Sequence, residues 1–140
     1  MAVAFNKFNS TIAAFMNKVH NLGADTIKII LTNTAPVAGN TQYSNITELA
    51  AGNGYTTGGI TVTVSSSSQT AGAYKYIVTN PSPWTATGAM GPFRYVVMYN
   101  FTATNKELLG YWDYGSSITL NNTETFTVTF DGTNGVIQAS

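Results

Sequence analysis

Residues 124–130 read ETFTVTF, so Phe126, Val128 and Phe130 alternate with threonines along the chain. Successive side chains of a β-strand point to opposite faces of its sheet, so this period of two places the three apolar side chains on one face. One apolar face and one polar face are typical of a strand in an antiparallel sheet that covers a core on one side only. The stretch therefore predicts a fold built on antiparallel β-sheets.

Short β-branched and aromatic runs occur on both sides of residues 124–130. We predict further strands at residues 26–32, 60–64, 73–79, 93–101, 107–113, 117–120 and 136–138. Pairs such as Asn53-Gly54 supply positive φ angles for turns, and we interpret the serine run 65–68 as a flexible loop. These roughly seven or eight strands and the long irregular connection 35–59 predict a mainly β fold, a two-sheet antiparallel jelly roll or sandwich.

The N-terminal segment is the part of the chain that has a helical period. Its apolar residues recur at steps of three and four: Phe5, Phe8, Ile12, Phe15, Val19 and Leu22. This spacing predicts a helix or arm that ends at a Gly23 cap, with His20 near the negative end of the helix dipole. We therefore predict one domain, residues 1–140, made of a helix or arm (1–23) and a β-sandwich (24–140). The stripe packs either on the chain's own sheet or on a second copy, and both remain open.

Charge is sparse and balanced. The chain has six Lys and Arg residues and six Asp and Glu residues, so its formal net charge is zero. Charged residues make up 9% of the chain, whereas a typical soluble domain has about 25%. Without a net field the chain has nothing to attract nucleic acid or anionic lipid, and no apolar run approaches the ~20 residues of a membrane span. We expect neither as a partner. Such a surface is typical of a protein that is covered by neighbours, although a neutral β-domain also has it.

The side chains that carry chemistry are few. The chain has no cysteine and one histidine, so thiolate chemistry and a zinc site of Cys and His ligands are excluded. Glu107 and Asp113 lie on one predicted strand, about 20 Å apart at ~3.3 Å per residue, which is too far for a glycosidase pair. The pair Glu48 and Glu124 is not excluded, but nothing in the sequence specifies it. We therefore expect no enzyme, no cofactor and no metal site.

Six segments of the sequence have a distinctive order of residues. They are FNKFN from Phe5, KVHNLGADT from Lys18, ILTNTAPVAGNT from Ile30, ITELAAGNGYTTGG from Ile46, GPFRYVVMYN from Gly91 and YWDYGSSITL from Tyr111. Together they span nearly the whole chain, and the chain resembles the capsid cement (decoration) proteins of tailed bacteriophages. The resemblance implies a jelly-roll structural protein that binds the outer surface of an icosahedral capsid, where it stabilises contacts between major capsid subunits.

The resemblance also implies partners and a location. The major capsid protein would be the main partner, the protein would be a homodimer or another homo-oligomer, and it would reside in the virion after assembly in the host cytoplasm. From the residues themselves we predict contacts in the N-terminal stripe, in the connection 35–59 and at Trp84 on a loop. The predicted interface residues are Phe5, Phe8, Ile12, Phe15, Asn53, Tyr55 and Trp84. The alternatives are a carbohydrate-binding β-sandwich module, with Trp84 stacking on sugar, or a fibre subunit.

Overall fold

The structure is a computed structural model that describes residues 3–140. It confirms a mainly β fold with antiparallel sheets and one short N-terminal helix, with 42% of residues in strands and 7% in helix. The elements are β1 (Asn6–Lys7), α1 (Thr11–Met16), β2 (Ile27–Thr32), β3 (Ile60–Thr61), β4 (Val64–Thr70), β5 (Ala73–Val78), β6 (Trp84–Thr85), β7 (Met90–Asn100), β8 (Leu108–Leu120), β9 (Thr125–Phe126) and β10 (Ile137–Ala139), with a 3₁₀ turn at Tyr43–Asn45.

The strands form three antiparallel sheets. The largest has the order β1-β8-β7-β2-β3, the second has the order β10-β5-β4, and β6 pairs with β9. The long β7–β8 hairpin is the centre of the large sheet, with Tyr95 opposite Asp113 and Val97 opposite Tyr111. Its outer strands β1 and β3 are only two residues long. This sandwich-like arrangement agrees with the antiparallel architecture that the alternating patterns predict.

The large sheet is covered on both faces. Ile29 of β2 belongs to the main core, which contains Tyr76 from β5 and Trp84 from β6. The next residue, Ile30, belongs to a second core with Phe8, to which the connection 35–59 contributes the half-buried Tyr43 and Ile46. Consecutive buried residues in β2 follow from this double covering, because neighbouring side chains of a strand point to opposite faces.

The helix is much shorter than the apolar stripe predicts. It contains only Thr11–Met16, and the backbone of Asn6 and Lys7 is extended and pairs with β8 instead. The chain leaves the helix at Asn17, and Lys18 has a φ of 64°. The prediction of a cap at Gly23 is therefore wrong, because the left-handed residue comes five positions earlier, and His20 lies beyond the helix rather than in its last turn.

Predictions for three further stretches of the chain, one loop and two sets of strands, also need correction. The serine run 65–68 is part of β4 rather than a loop, because β5 supplies a hydrogen-bonding partner that outweighs the low β-propensity of serine. The predicted strands 107–113 and 117–120 are one continuous strand, β8. Within residues 124–130 only Thr125–Phe126 pairs with a strand of the described chain, although the alternation of half-buried and exposed side chains continues to Phe130.

Candidate docking surface

Three of the predicted interface residues lie in the interior of the protein. Phe8, Tyr55 and Trp84 are 0%, 3% and 4% exposed. Trp84 lies on β6 rather than on a loop, and its ring centroid is 6.2 Å from those of both Tyr55 and Phe126. The prediction of an exposed Trp84 is therefore wrong, because neighbouring rings from two other segments cover it. In this conformation these three side chains cannot contact a partner.

The other predicted interface residues reach the surface to different extents. Phe5 is half-buried against Trp112, at 5.1 Å between ring centroids, and Phe15 is half-buried against His20 at 5.0 Å. Asn53 is exposed, and its Nδ2 donates to a backbone carbonyl at 2.9 Å. Ile12 is 48% exposed. The sequence pattern missed Met16, which is 81% exposed and lies one helical turn after Ile12 on the same face of α1.

An open apolar cleft of about 720 Å³ lies beside Trp112 and Tyr114 of β8. It is lined by Val3, Phe5, Val96, Trp112, Tyr114, Phe126, Thr127, Val128, Thr129, Phe130, Asp131, Gly135 and Val136. Asp131 is the only one of these thirteen residues with a charged side chain near neutral pH. We call this feature the apolar cleft. It brings the predicted interface residue Phe5 together with the alternating stretch 124–130.

The apolar cleft exists because residues 127–130 keep a strand-like alternation without a strand partner. Val128 and Phe130 turn toward the main core, as the period of two predicts. In the described chain no ladder pairs with this segment, and the Phe130 N–H donates instead to Asn80 Oδ1 at 2.7 Å. The Phe130 ring contacts Trp112 with 5.6 Å between centroids. The aromatic crowding of β8 was visible in the sequence, but the missing partner strand was not.

The charges next to the apolar cleft are satisfied within the chain. Asp131 accepts hydrogen bonds from the backbone N–H groups of Asn134 and Thr133, each at 2.8 Å, and these bonds lower the pKa of the Asp131 carboxyl. Asp113, which lies between two cleft residues of β8, forms a two-pronged ion pair with Arg94 at 2.7 and 2.9 Å. That hydrogen bond also lowers the pKa of the Asp113 carboxyl. Among the lining residues, the carboxylate of Asp131 is therefore already hydrogen-bonded within the chain, and the neighbouring Asp113 is ion-paired.

A second arrangement of polar groups holds the connection 35–59 in place. The Glu48 carboxylate accepts hydrogen bonds from the hydroxyls of Tyr43 and Tyr55, the latter at 2.7 Å, and from the Gly58 N–H at 2.6 Å. Burial, followed by the hydrogen bond to Glu48, raises the pKa of both tyrosine hydroxyls. Tyr99 on β7 donates to the Gly58 carbonyl at 2.8 Å. Glu48 is thus engaged in structure, whereas Glu124 caps a separate turn, where its carboxylate accepts from the Asn121 N–H at 2.7 Å.

The single histidine is buried in a small polar cluster. His20 is 6% exposed, and its Nδ1 lies 3.1 Å from Nδ2 of Asn100, which also donates to Asp25 at 2.6 Å. Burial lowers the pKa of His20. Within residues 3–140 the side-chain partner of the His20 ring is thus an amide rather than a hydroxyl that could act as a nucleophile. The same residues contain no group of three or more His, Cys, Asp or Glu side chains arranged to hold a metal ion.

Comparisons with protein-family models, with curated proteins and with solved structures found no match to this chain. Among residues 3–140, no helix has the length and apolar character needed to cross a membrane. We therefore infer function from the surface geometry, the sparse charge and the sequence resemblance described above.

Proposed function

We propose that this protein is a structural cement protein that binds the outer surface of an icosahedral tailed-phage capsid and bridges neighbouring major capsid subunits. It acts by docking and performs no chemistry, and it resides in the virion after assembly in the host cytoplasm. The observation that carries the structural side of this proposal is the apolar cleft. Its exposed and half-exposed rings form a surface that a partner can cover at small electrostatic cost.

Ring burial supplies the docking energy. Tyr114 is 52% exposed at the edge of the apolar cleft, and Trp112 and Phe126 are half-buried within it. Covering apolar surface yields about 25 cal/mol per Å², and aromatic residues are over-represented among the side chains that dominate interfaces. Because Asp131 is already hydrogen-bonded within the chain and Asp113 is ion-paired with Arg94, docking requires little ion desolvation and depends weakly on salt.

Repetition across the capsid lattice supplies the mechanical effect. A standard interface buries about 1,600 Å² in total. Once a copy has bound one capsid subunit, it binds the neighbouring subunit at a high effective concentration. Two contacts of modest affinity therefore combine into a strong bridge. Rupture of the shell then has to break many such bridges together.

A binding experiment with purified, undecorated capsids tests this proposal. We expect the protein to co-sediment with capsids in a saturable manner, and Tyr114→Ala to weaken binding about tenfold by removing the most exposed ring of the cleft. Phe101→Ala is the matched control, because Phe101 is also an exposed aromatic residue, at 43% exposure, but lies outside the apolar cleft. Absence of saturable binding would refute the proposed function. Equal loss with both variants would refute the assignment of binding to the cleft.

Carbohydrate binding is the second candidate, and the composition of the apolar cleft favours it specifically. Trp112, Tyr114 and Phe126 offer rings for stacking on a sugar, while Thr127 and Thr129 are polar residues of the same lining. A glycan array checks this candidate, and Tyr114→Ala is expected to abolish any signal. The buried Trp84 is not a suitable test position, because its replacement disturbs the core rather than a sugar-binding surface.

A further inference from the structure

Strand β9 has a partner on one side only. In the described chain it pairs with β6, where Trp84 lies opposite Phe126, and with no other strand. Beyond Phe126 the side chains stay alternately exposed and half-buried up to Phe130. This alternation indicates that the backbone of residues 127–130 continues as an extended segment. We call the side of residues 125–130 that faces away from β6 the β9 edge.

Two hydrogen bonds show which backbone groups of this segment point toward β6. The Ala86 N–H donates to the Glu124 carbonyl at 2.9 Å. The Phe130 N–H donates to Oδ1 of Asn80, in the segment that precedes β6, at 2.7 Å. Backbone groups of successive residues in an extended strand point to alternate sides. The even-numbered residues of 124–130 therefore face β6 and the segment before it, and the odd-numbered residues face the β9 edge.

The outward-facing residues beyond β9 are Thr127 and Thr129. Both are exposed, and both line the apolar cleft. Within residues 3–140, no hydrogen bond uses their backbone N–H or C=O groups. Along an extended chain the two residues lie about 7 Å apart, at ~3.4 Å per residue. The β9 edge therefore offers two donors and two acceptors, at the repeat of a β-ladder, next to a cleft lined by aromatic rings.

This repeat determines what kind of partner fits. A second extended polypeptide presents N–H and C=O groups at the same interval, whereas a helix uses its backbone groups internally. In a strand added to the β9 edge, every second side chain lies on the same face as Phe126 and Val128, which line the apolar cleft. One contact thus combines main-chain hydrogen bonds with burial of alternate side chains.

The lining of the apolar cleft sets the chemistry of those side chains. Asp131 is its only residue with a charge near neutral pH, and two backbone N–H groups already donate to that carboxylate. A charged side chain that entered the cleft would lose water without gaining a free group of opposite charge. The rings of Trp112 and Tyr114 offer apolar contact instead. The segment that fits is extended and has uncharged, apolar residues at every second position.

We propose that such a segment of the major capsid protein adds to the β9 edge as a third strand of the β6–β9 sheet. Hydrogen bonds to the backbones of Thr127 and Thr129 provide affinity, and the apolar cleft selects the side chains, as in other cases of strand addition. Because β6 already holds Phe126 in place, the cost of ordering falls mainly on the incoming segment. The identity of the partner rests on the proposed function, whereas the mode of contact goes beyond it.

The test compares two variants of one residue for co-sedimentation with undecorated capsids. Thr129→Pro removes an outward N–H without removing a hydrogen bond of the isolated chain. We expect it to weaken binding about tenfold or more. Thr129→Ala is the matched control, because it removes the side chain but keeps the N–H, and we expect a change of no more than about twofold. Urea denaturation of both variants checks that they fold like the unmodified protein.

Amide hydrogen exchange of the unmodified protein provides a readout that needs no variant. On binding to capsids, the amides of Thr127 and Thr129 should gain protection, whereas that of Val128, which faces the other side, should change much less. A sugar or a helix in the apolar cleft would cover the rings without this alternation.

The possible failures of this inference and of the proposed function are distinct. Equal binding of the two Thr129 variants, or no added protection at Thr127 and Thr129 in bound protein, would overturn the inference and leave capsid binding in place. A lower mass of Thr129→Pro than of the unmodified protein without capsids, measured by light scattering, would also overturn it, because the β9 edge would then serve a second copy. Absence of saturable binding by the unmodified protein would refute the proposed function, and the inference with it.

Discussion

The connection 35–59 and the segment 127–130 differ in how well the sequence pattern of each predicts whether its backbone is held in place. The connection has no strand and only one 3₁₀ turn, yet half-buried polar contacts fix it, with Glu48 at their centre. The segment 127–130 has the clearest strand pattern in the chain, yet it joins no ladder in the described residues and borders the open apolar cleft. A regular alternation of apolar and polar residues therefore does not by itself show whether a segment will be covered by the rest of the chain.

The contrast has a physical origin. The half-buried Glu48 carboxylate accepts three hydrogen bonds and so holds an irregular backbone, because each donor would lose its partner if the loop moved. An alternating strand without a neighbour still buries its apolar side, but part of that side stays open to solvent. The polar groups of the connection 35–59 are satisfied within one chain, whereas the segment 127–130 leaves apolar surface that a partner can cover.

Loss of the Trp84 ring should produce the largest effect, because this ring packs between the connection 35–59 and β9, which leads directly into the segment 127–130. It contacts Tyr55 from the connection on one side and Phe126 from the alternating stretch on the other. We expect Trp84→Ala to lower the free energy of unfolding by about 4 kcal/mol, the usual range for a buried aromatic residue. Urea denaturation monitored by circular dichroism measures it. A loss below about 1 kcal/mol would show that the two regions do not depend on this contact.

The next largest effect is expected from Glu48→Ala. It removes the common acceptor of the Tyr43 and Tyr55 hydroxyls and of the Gly58 N–H, so the free energy of unfolding should fall by about 3 kcal/mol. Glu124→Ala is the matched control, since its exposed carboxylate accepts one backbone hydrogen bond and should matter by less than about 1 kcal/mol. Equal losses in both variants, measured in urea, would contradict the special role of Glu48.

The pH dependence of stability sharpens the contrast in a third segment, residues 17–25, which is also irregular and held by a buried polar contact. Burial lowers the pKa of His20 in the folded state, so below the usual value of 6.5 the unfolded chain binds more protons than the folded one. Stability should be complete above pH 6.5 and fall as the pH drops toward the folded pKa, by at most about 1.4 kcal/mol per pH unit. His20→Asn should remove this part of the dependence. Identical pH profiles of the two proteins would contradict the effect.

The smallest effect on stability should come from the rim of the apolar cleft. Tyr114 is 52% exposed, so Tyr114→Ala should change the free energy of unfolding by less than about 0.5 kcal/mol. The same change is expected to weaken capsid binding, and this separation of binding from stability is what a docking surface predicts. A thermal-denaturation comparison with the unmodified chain checks it. A loss of several kcal/mol would mean that the ring belongs to the core.

Much of the fold could be predicted from the sequence, because its evidence is local. The alternation in residues 124–130 and the runs that became β2, β5 and β7 gave the strand content and the antiparallel sandwich. The helix could not be bounded, because its stripe continues through residues that pair with β8 or turn at Lys18. Spacing records only periodicity, and a distant strand that offers hydrogen bonds can override it.

The surface was harder to predict than the fold. Phe8, Tyr55 and Trp84 are aromatic residues of the kind that anchor interfaces, but the same property makes them good core residues, and burial decides between the two. The apolar cleft joins residues from opposite ends of the chain, Phe5 and Phe130, through their shared contact with Trp112. A contact between residues so far apart in the chain cannot be predicted from a local sequence pattern. The capsid function itself, like the predicted partners and location, stays a prediction.

The most direct test of the proposed function is the temperature or osmotic shock at which capsids burst, measured as increasing amounts of the protein are bound. If the protein cements the shell, the threshold should rise with occupancy and level off when the sites are full. Tyr114→Ala should shift that curve to higher protein concentration without lowering its plateau. A bursting threshold that stays constant while the protein binds to saturation would contradict the account.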